Sequence, residues 1–186
     1  MQNINFIILV MVSSIHDYIT RGDESQIKHW LSACGDMDEM DQKRRTPIYV
    51  AVQMGNMTAA KMILKKGCNT NIPNEDGLYP LQLAIYNKNM KLAELLLNHK
   101  ADPNKQNPGG LNAISILCSL SSPDATQTKL LQSLLKSGGE MSATNCTGDT
   151  ALHMAARNGS VDLVETLLAN NASVDQQNLY VCKKHY

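Results

Sequence analysis

The residues best suited to chemistry in this chain of 186 residues are its histidines and cysteines, and neither set forms a reaction centre. Cys182 and His185 have the spacing of two zinc ligands, but two further ligands at matching spacing are absent, so no metal site is expected. Cys68, Cys118 and Cys146 lack a patterned histidine or basic neighbour to activate a thiol, and read as small apolar residues. Gly109-Gly110 and Gly138-Gly139 do not have the spacing of a phosphate-cradling loop, and no G-x-S-x-G elbow, H-E-x-x-H helix or calcium loop occurs. With no nucleophile, base and oxyanion donor in a shared pattern, the sequence predicts no catalytic residue and no cofactor. Asp36, Asp38, Glu39 and Asp41 form an acidic cluster followed at once by Lys43-Arg44-Arg45. A solvated loop with local pairing is the plain reading; a polar finger that touches a partner is the alternative.

Composition narrows the class. Lys plus Arg and Asp plus Glu are 17 each, and this neutrality removes the electrostatic footprint of a nucleic-acid binder or an anionic-membrane binder. Apolar residues make up 43%, enough for a packed core, while aromatics are only 4%, so Leu, Ile, Val, Ala and Met must build it, which favours helices. Five widely spread cysteines predict reduced thiols and a cytoplasmic, alternatively nuclear, setting. The apolar N-terminal segment, residues 1–12, has no Lys or Arg and no small-x-small cleavage site, and is too short to span a bilayer. A buried segment or cap is expected there rather than a signal, with no direct membrane insertion. Sequons at Asn56, Asn145, Asn158 and Asn171 fall at helix and turn positions where Asn, Ser and Thr belong anyway.

The elements that must position these residues follow from an internal repeat. Thr150-Ala-Leu-His153 has counterparts in Ser13-Ser-Ile-His16, Thr46-Pro-Ile-Tyr49, Tyr79-Pro-Leu-Gln82 and Asn112-Ala-Ile-Ser115. The steps from residue 13 to 46, 79 and 112 are each 33, and the last, to 150, is 38, which puts a five-residue insertion in the fourth unit. In unit two, Thr46 can cap free N–H groups and Pro47 suits a first helical turn. Ile48, Ala51 and Val52 form one apolar face, ended at Gly55. A second amphipathic helix with Ala59, Ala60, Met62, Ile63 and Leu64 stops at Gly67, and a polar, turn-prone loop follows.

This period and the T-P-L-H pattern resemble the ankyrin repeat over residues 13–178. The resemblance implies an all-α solenoid of stacked helix-turn-helix units with protruding β-turn loops, in one domain. The units are expected at about 13–40, 41–73, 74–106, 107–144 and 145–178, followed by a tail at 179–186. Unit three has Lys88 and Lys100 at the two expected glycine positions; held left-handed, each costs on the order of 1 kcal/mol. Unit four is expected to carry a loop over residues 119–128 between its helices. The tail is too short for another helix pair, which leaves Leu163, Val164, Leu167 and Leu168 little to cover them: the tail folds back, a partner meets the open end, or the chain is a truncated product.

In ankyrin-like repeats the histidine of T-P-L-H ties neighbouring loops, so His16 and His153 are expected to be structural. The concave face is implied to comprise the loop tips and the fifth, eighth and ninth residues counted from the Thr position. These are Asp17, Thr20 and Arg21; Val50, Gln53 and Met54; Leu83, Tyr86 and Asn87; Ile116, Ser119 and Leu120; and Met154, Arg157 and Asn158. Among them Val50, Met54, Leu83, Tyr86, Ile116, Leu120 and Met154 would make an apolar strip suited to a protein partner. Leu96 followed by Asp102-Pro103-Asn104 resembles the context in which an asparaginyl hydroxylase modifies ankyrin repeats, with Pro103 replacing the usual aliphatic residue; a turn-capping role is the plainer expectation for Asn104. The function expected is a non-enzymatic adaptor, scaffold or inhibitor, monomeric, binding protein and not nucleic acid. The alternative is a truncated piece of a larger ankyrin-repeat protein, such as a membrane-skeleton linker, a channel or a ubiquitin-ligase substrate adaptor.

Overall fold

The computed structural model describes residues 14–33, 35–121 and 125–179. The segment 1–12, Cys34 and the Cys182/His185 pair lie outside them. The described residues form ten helices: α1 (Ile15–Arg21), α2 (Glu24–Ser32), α3 (Pro47–Gln53), α4 (Met57–Lys65), α5 (Pro80–Tyr86), α6 (Met90–Asn98), α7 (Ala113–Ser119), α8 (Ala125–Lys136), α9 (Ala151–Arg157) and α10 (Val161–Ala169). Odd-numbered helices stack on one another in one layer and even-numbered helices in a second. One core, including Ile48, Ile63, Ile85, Leu96, Leu117 and Leu134, runs between the layers. No helix pair could bury its apolar face alone, which is why the array is continuous.

Helix starts follow the side chains that the sequence offers. Thr46, Asn112 and Thr150 accept the N–H groups of Tyr49, Ser115 and His153 at 3.3, 2.9 and 3.4 Å. Asp23, Asn56 and Asn89 do the same for the second helices, to Gln26, Ala59 and Leu92. At the α5 start Tyr79 has no short hydroxyl, and the Gln82 side chain accepts the Tyr79 N–H at 3.3 Å instead. Lys88 and Lys100 are left-handed, with φ of 54° and 66°, where unit two places Gly55 and Gly67.

The loops are built on one repeated turn. The N–H groups of Arg44, Gly77, Gly110 and Gly148 donate to the carbonyls of Asp41, Asn74, Asn107 and Asn145, three residues back. The side chains of those four Asp and Asn residues accept further N–H groups within the same turn, such as Arg45 at 2.8 Å and Asp149 at 2.8 Å. A second set joins one unit to the next: Asp38, Asn71 and Asn104 accept the N–H groups of Asn69, Asp102 and Glu140, each at 2.8 Å. The acidic cluster is thus largely structural, with Asp41 also paired to Arg45 at 2.6 Å.

Two expectations are corrected. Residues 119–128 are not all loop: α8 starts at Ala125, so it runs twelve residues against nine in the other second helices apart from it. Part of the insertion lengthens the helix, and Gln127 is buried by it. The outward placement of Val50, Ile116 and Met154 also fails, because all three are buried, at 1%, 0% and 4% exposure. α3 and α7 each sit between two neighbouring first helices and against the second layer, and α9 packs on α7 and α10, so these three fifth positions are closed, while Leu83 at the same position of α5 keeps part of its surface.

Candidate protein-binding face

With six consecutive residues of α3 buried, Pro47 to Val52, only its C-terminal end reaches the surface. Gln53 and Met54 are exposed there, Met54 at 49%. On the next unit, Tyr86 (39%) and Asn87 are exposed and Leu83 is half-buried. Leu120 is half-buried after α7, and Arg157 is exposed at the end of α9. Thr20 and Arg21 extend the same row onto α1, beside a hollow of about 450 Å³ lined in part by Asp17, Thr20, Met40 and Lys43. The predicted strip therefore becomes a narrower row: Met54 and Tyr86 stand out, Leu83 and Leu120 support them, and Gln53, Asn87 and Arg157 give it polar edges.

Hydrogen bonds fix this row. Arg45 Nη1 donates to Gln53 Oε1 at 2.7 Å, which ties the end of α3 to its own finger. Lys88 Nζ donates to the Ser121 carbonyl at 3.2 Å, and Asn158 Nδ2 to the Cys118 carbonyl at 3.0 Å, joining helix ends of successive units. Arg157 Nη2 lies 2.7 Å from Asp149 Oδ2. Asp149 is buried and also accepts from Asn178 Nδ2 at 2.6 Å and Thr147 Oγ1 at 3.0 Å. Burial alone would raise the Asp149 pKa, but the hydrogen bonds from Arg157, Asn178 and Thr147, with the Arg157 charge, hold it below the usual carboxylate value. Asp41 behaves alike: desolvation raises it, and the Arg45 and Lys43 donors with the Arg45 charge bring it down overall.

Nothing in the row is a reacting group. Burial pushes the thiols of Cys68 and Cys118 up to about 12, so they are protonated and poor nucleophiles near neutral pH. Among the described residues no group of three His, Cys, Asp or Glu side chains could hold a metal ion. The surface can therefore offer a thioether, a phenol, amides and a guanidinium for contact.

The sequence did not single out the residue that ties loops best. Gln82, at the histidine position of its unit, donates from Nε2 to the carbonyls of Lys105 and Leu111 in the next finger, at 2.7 and 3.1 Å. The histidines do less: His153 Nδ1 is 2.8 Å from its own Thr150 Oγ1, and the buried His16 Nε2 has no hydrogen-bond partner among the described residues. Asn104 is a bridge between units, since its Nδ2 also donates to the Gly138 carbonyl at 2.8 Å. Register alone could have found Gln82, because an amide can reach both ways as a histidine ring does.

Comparison with known proteins agrees with this architecture. A family model described as ankyrin repeats, three copies, matches residues 15–107 and 100–178. The chain is 30% identical over 151 residues to the human transient receptor potential cation channel subfamily A member 1, covering 81% of this chain and 12% of that protein. It is 27% identical over 164 residues to the potassium channel AKT2/3 of Arabidopsis thaliana, covering 88% of this chain and 20% of that protein. The chain thus spans a fifth or less of these curated relatives. No helix among the described residues is long and apolar enough to cross a membrane.

Proposed function

The chain belongs to the ankyrin-repeat family, and from that we propose that it is a non-enzymatic protein-interaction module, an adaptor, scaffold or inhibitor, whose partner lies along the exposed ends of the first helices. The observation that carries this reading is the pair Met54 and Tyr86, large apolar side chains left exposed at the ends of adjacent first helices whose other apolar residues are buried, apart from the half-buried Leu83. Stacked units hold such side chains on a rigid frame, so little ordering entropy is lost on binding. Met adapts its shape and Tyr combines a ring with a hydrogen-bonding tip, which suits anchors in a partner's pockets. Leu83 and Leu120 extend the apolar contact, while Gln53, Asn87 and Arg157 supply polar selection at the edges. Zero formal net charge favours a protein over a nucleic acid as partner. Free thiols at Cys68, Cys118 and Cys146 favour a cytoplasmic or nuclear setting, and a single copy suffices to present the face.

A second reading has a specific observation in its favour. The matched relatives are channels many times longer than the matched region, so the same module would serve as the interaction segment of a larger protein. Affinity capture from cytosol tests both. Wild-type chain is compared with a Met54→Glu, Tyr86→Glu double variant of matched circular dichroism and melting temperature. The proposal predicts a protein held by the wild type and lost, by tenfold or more, with the variant. Equal capture by both chains would move the site off this face.

A further inference from the structure

Along the layer of second helices a groove recurs in register, while the chemistry of its lining changes. Between α2 and α4, Leu31 and Met62 form the floor of a groove of about 500 Å³ rimmed by Lys28, Ser32, Lys65 and Lys66. Leu31 is buried and Met62 half-buried, whereas the three lysines and Ser32 are exposed. Between α6 and α8 a groove of about 370 Å³ is lined by Glu94, Leu97, Asn98, Ser133, Lys136 and Ser137. The first three of these stand 66 residues after Lys28, Leu31 and Ser32. The last three stand 71 after Met62, Lys65 and Lys66, the extra five being the insertion in unit four.

The groove itself is therefore a product of the stacking, and its side chains are what distinguish one from another. Glu94, Ser133 and Ser137 replace Lys28, Met62 and Lys66, which gives the α6–α8 groove a more polar floor and both signs of charge at its rim. In the intervening groove, Asn98 and His99 stand where Lys65 and Lys66 stand. Among the described second helices, lysines on both walls of an apolar floor occur at α2 and α4 alone. Glu24 is the one carboxylate on these two helices, and it lies 3.8 Å from Lys28 as an exposed pair of small worth. Lys65 and Lys66 make no ion pair with the described residues. Three cations around an apolar floor are complementary to a ligand that joins carboxylates to a large apolar group.

We propose that this groove seats a short acidic segment of a protein partner. One large apolar side chain of that segment rests on Leu31 and Met62, and its carboxylates face Lys28, Lys65 and Lys66. A planar anionic membrane is the less favoured occupant, because the same layer presents the exposed Glu94, Asp162 and Glu165 farther along the array. The site lies apart from the first-helix row and stands whether or not that row takes a partner.

The test uses the full chain and a Lys28→Glu, Met62→Ser, Lys66→Ser variant, which writes residues of the α6–α8 groove into this one at positions where the fold already carries them. Should Met62→Ser lower the melting temperature, the exposed pair Lys28→Glu, Lys66→Ser serves alone. Short random peptides displayed on phage are selected on the wild-type chain with the variant in solution as competitor. Recovered peptides are expected to combine a large apolar residue with Asp or Glu, to bind the wild type at least about tenfold tighter than the variant, and to weaken as salt rises. The reverse exchange, Glu94→Lys with Ser133→Met and Ser137→Lys, is expected to add a second equivalent of sites for the same peptides. The proposal is overturned if no recovered peptide distinguishes the chains, if the recovered peptides lack acidic residues, or if the reverse exchange adds no site. Vesicles of equal parts phosphatidylserine and phosphatidylcholine that bind the wild type and not the variant, with no acidic peptide recovered, would assign the groove to a lipid surface instead.

Discussion

Asp149 carries a negative charge into a site that is almost closed to water, at the position where the preceding fingers place Leu78 and Leu111. A buried carboxylate is tolerable only with enough donors, and Arg157, Thr147 and Asn178 supply them. Because folding lowers its pKa, the carboxylate adds stability in full above its unfolded value of about 4, and that contribution is lost as pH falls through the folded value. Asp149→Asn is therefore expected to lower the unfolding free energy at pH 7 by about 1–3 kcal/mol, as for hydrogen bonds to a charged group. The gap should narrow as pH falls below about 4 towards the lowered folded value; urea unfolding at pH 7 and pH 3 checks this, with a smaller gap expected at pH 3. The interaction was not legible in the sequence, since Asp149 and Arg157 are eight residues apart and a helix must form before they meet. The turn-opening Asn and Asp residues were legible as turn formers, because their side chains act within a few residues.

Helix limits were the most readable level, and where they failed the cause is tertiary packing. Thr46-Pro47 and Thr150 start helices by capping chemistry that needs no neighbour. The same local logic identified Lys88 and Lys100 as residues forced into a glycine conformation, and both have positive φ. Lys100→Gly is expected to stabilise the chain by about 0.5–1 kcal/mol, because Lys100 is exposed and its carbonyl, the group that Asn71 uses, is kept. Thermal melting should show this as a rise of roughly 1–4 °C for a domain of this size; no rise would mean that the left-handed backbone is unstrained. By contrast, the Ser- and Thr-rich stretch before Lys129 reads as loop by composition, yet residues from Ala125 are helical because Gln127 and Leu130 extend the buried side of α8. Propensity gave way there to burial.

At the scale of the whole molecule, the repeat period carried the architecture, since stacking is the one way such units can hide their apolar faces. What the period could not supply was which side of a first helix remains open once both neighbours are in place. Val50, Ile116 and Met154 share a register with Leu83, yet only Leu83 keeps part of its surface, so the row of contact residues had to be read from the assembled stack. The proposed face was therefore visible in part as a pattern, at Met54, Tyr86, Leu83 and Leu120, while the closing of Val50, Ile116 and Met154 depended on three-dimensional cover.

Hydrogen–deuterium exchange on the captured complex, compared with the free chain, tests the location of the binding face most directly. Protection is predicted at residues 53–54, 83–87 and 119–120, with the even-numbered helices unchanged. Protection confined to the second helices, with those three stretches exchanging as in the free chain, would contradict the assignment of the first-helix row as the partner's seat.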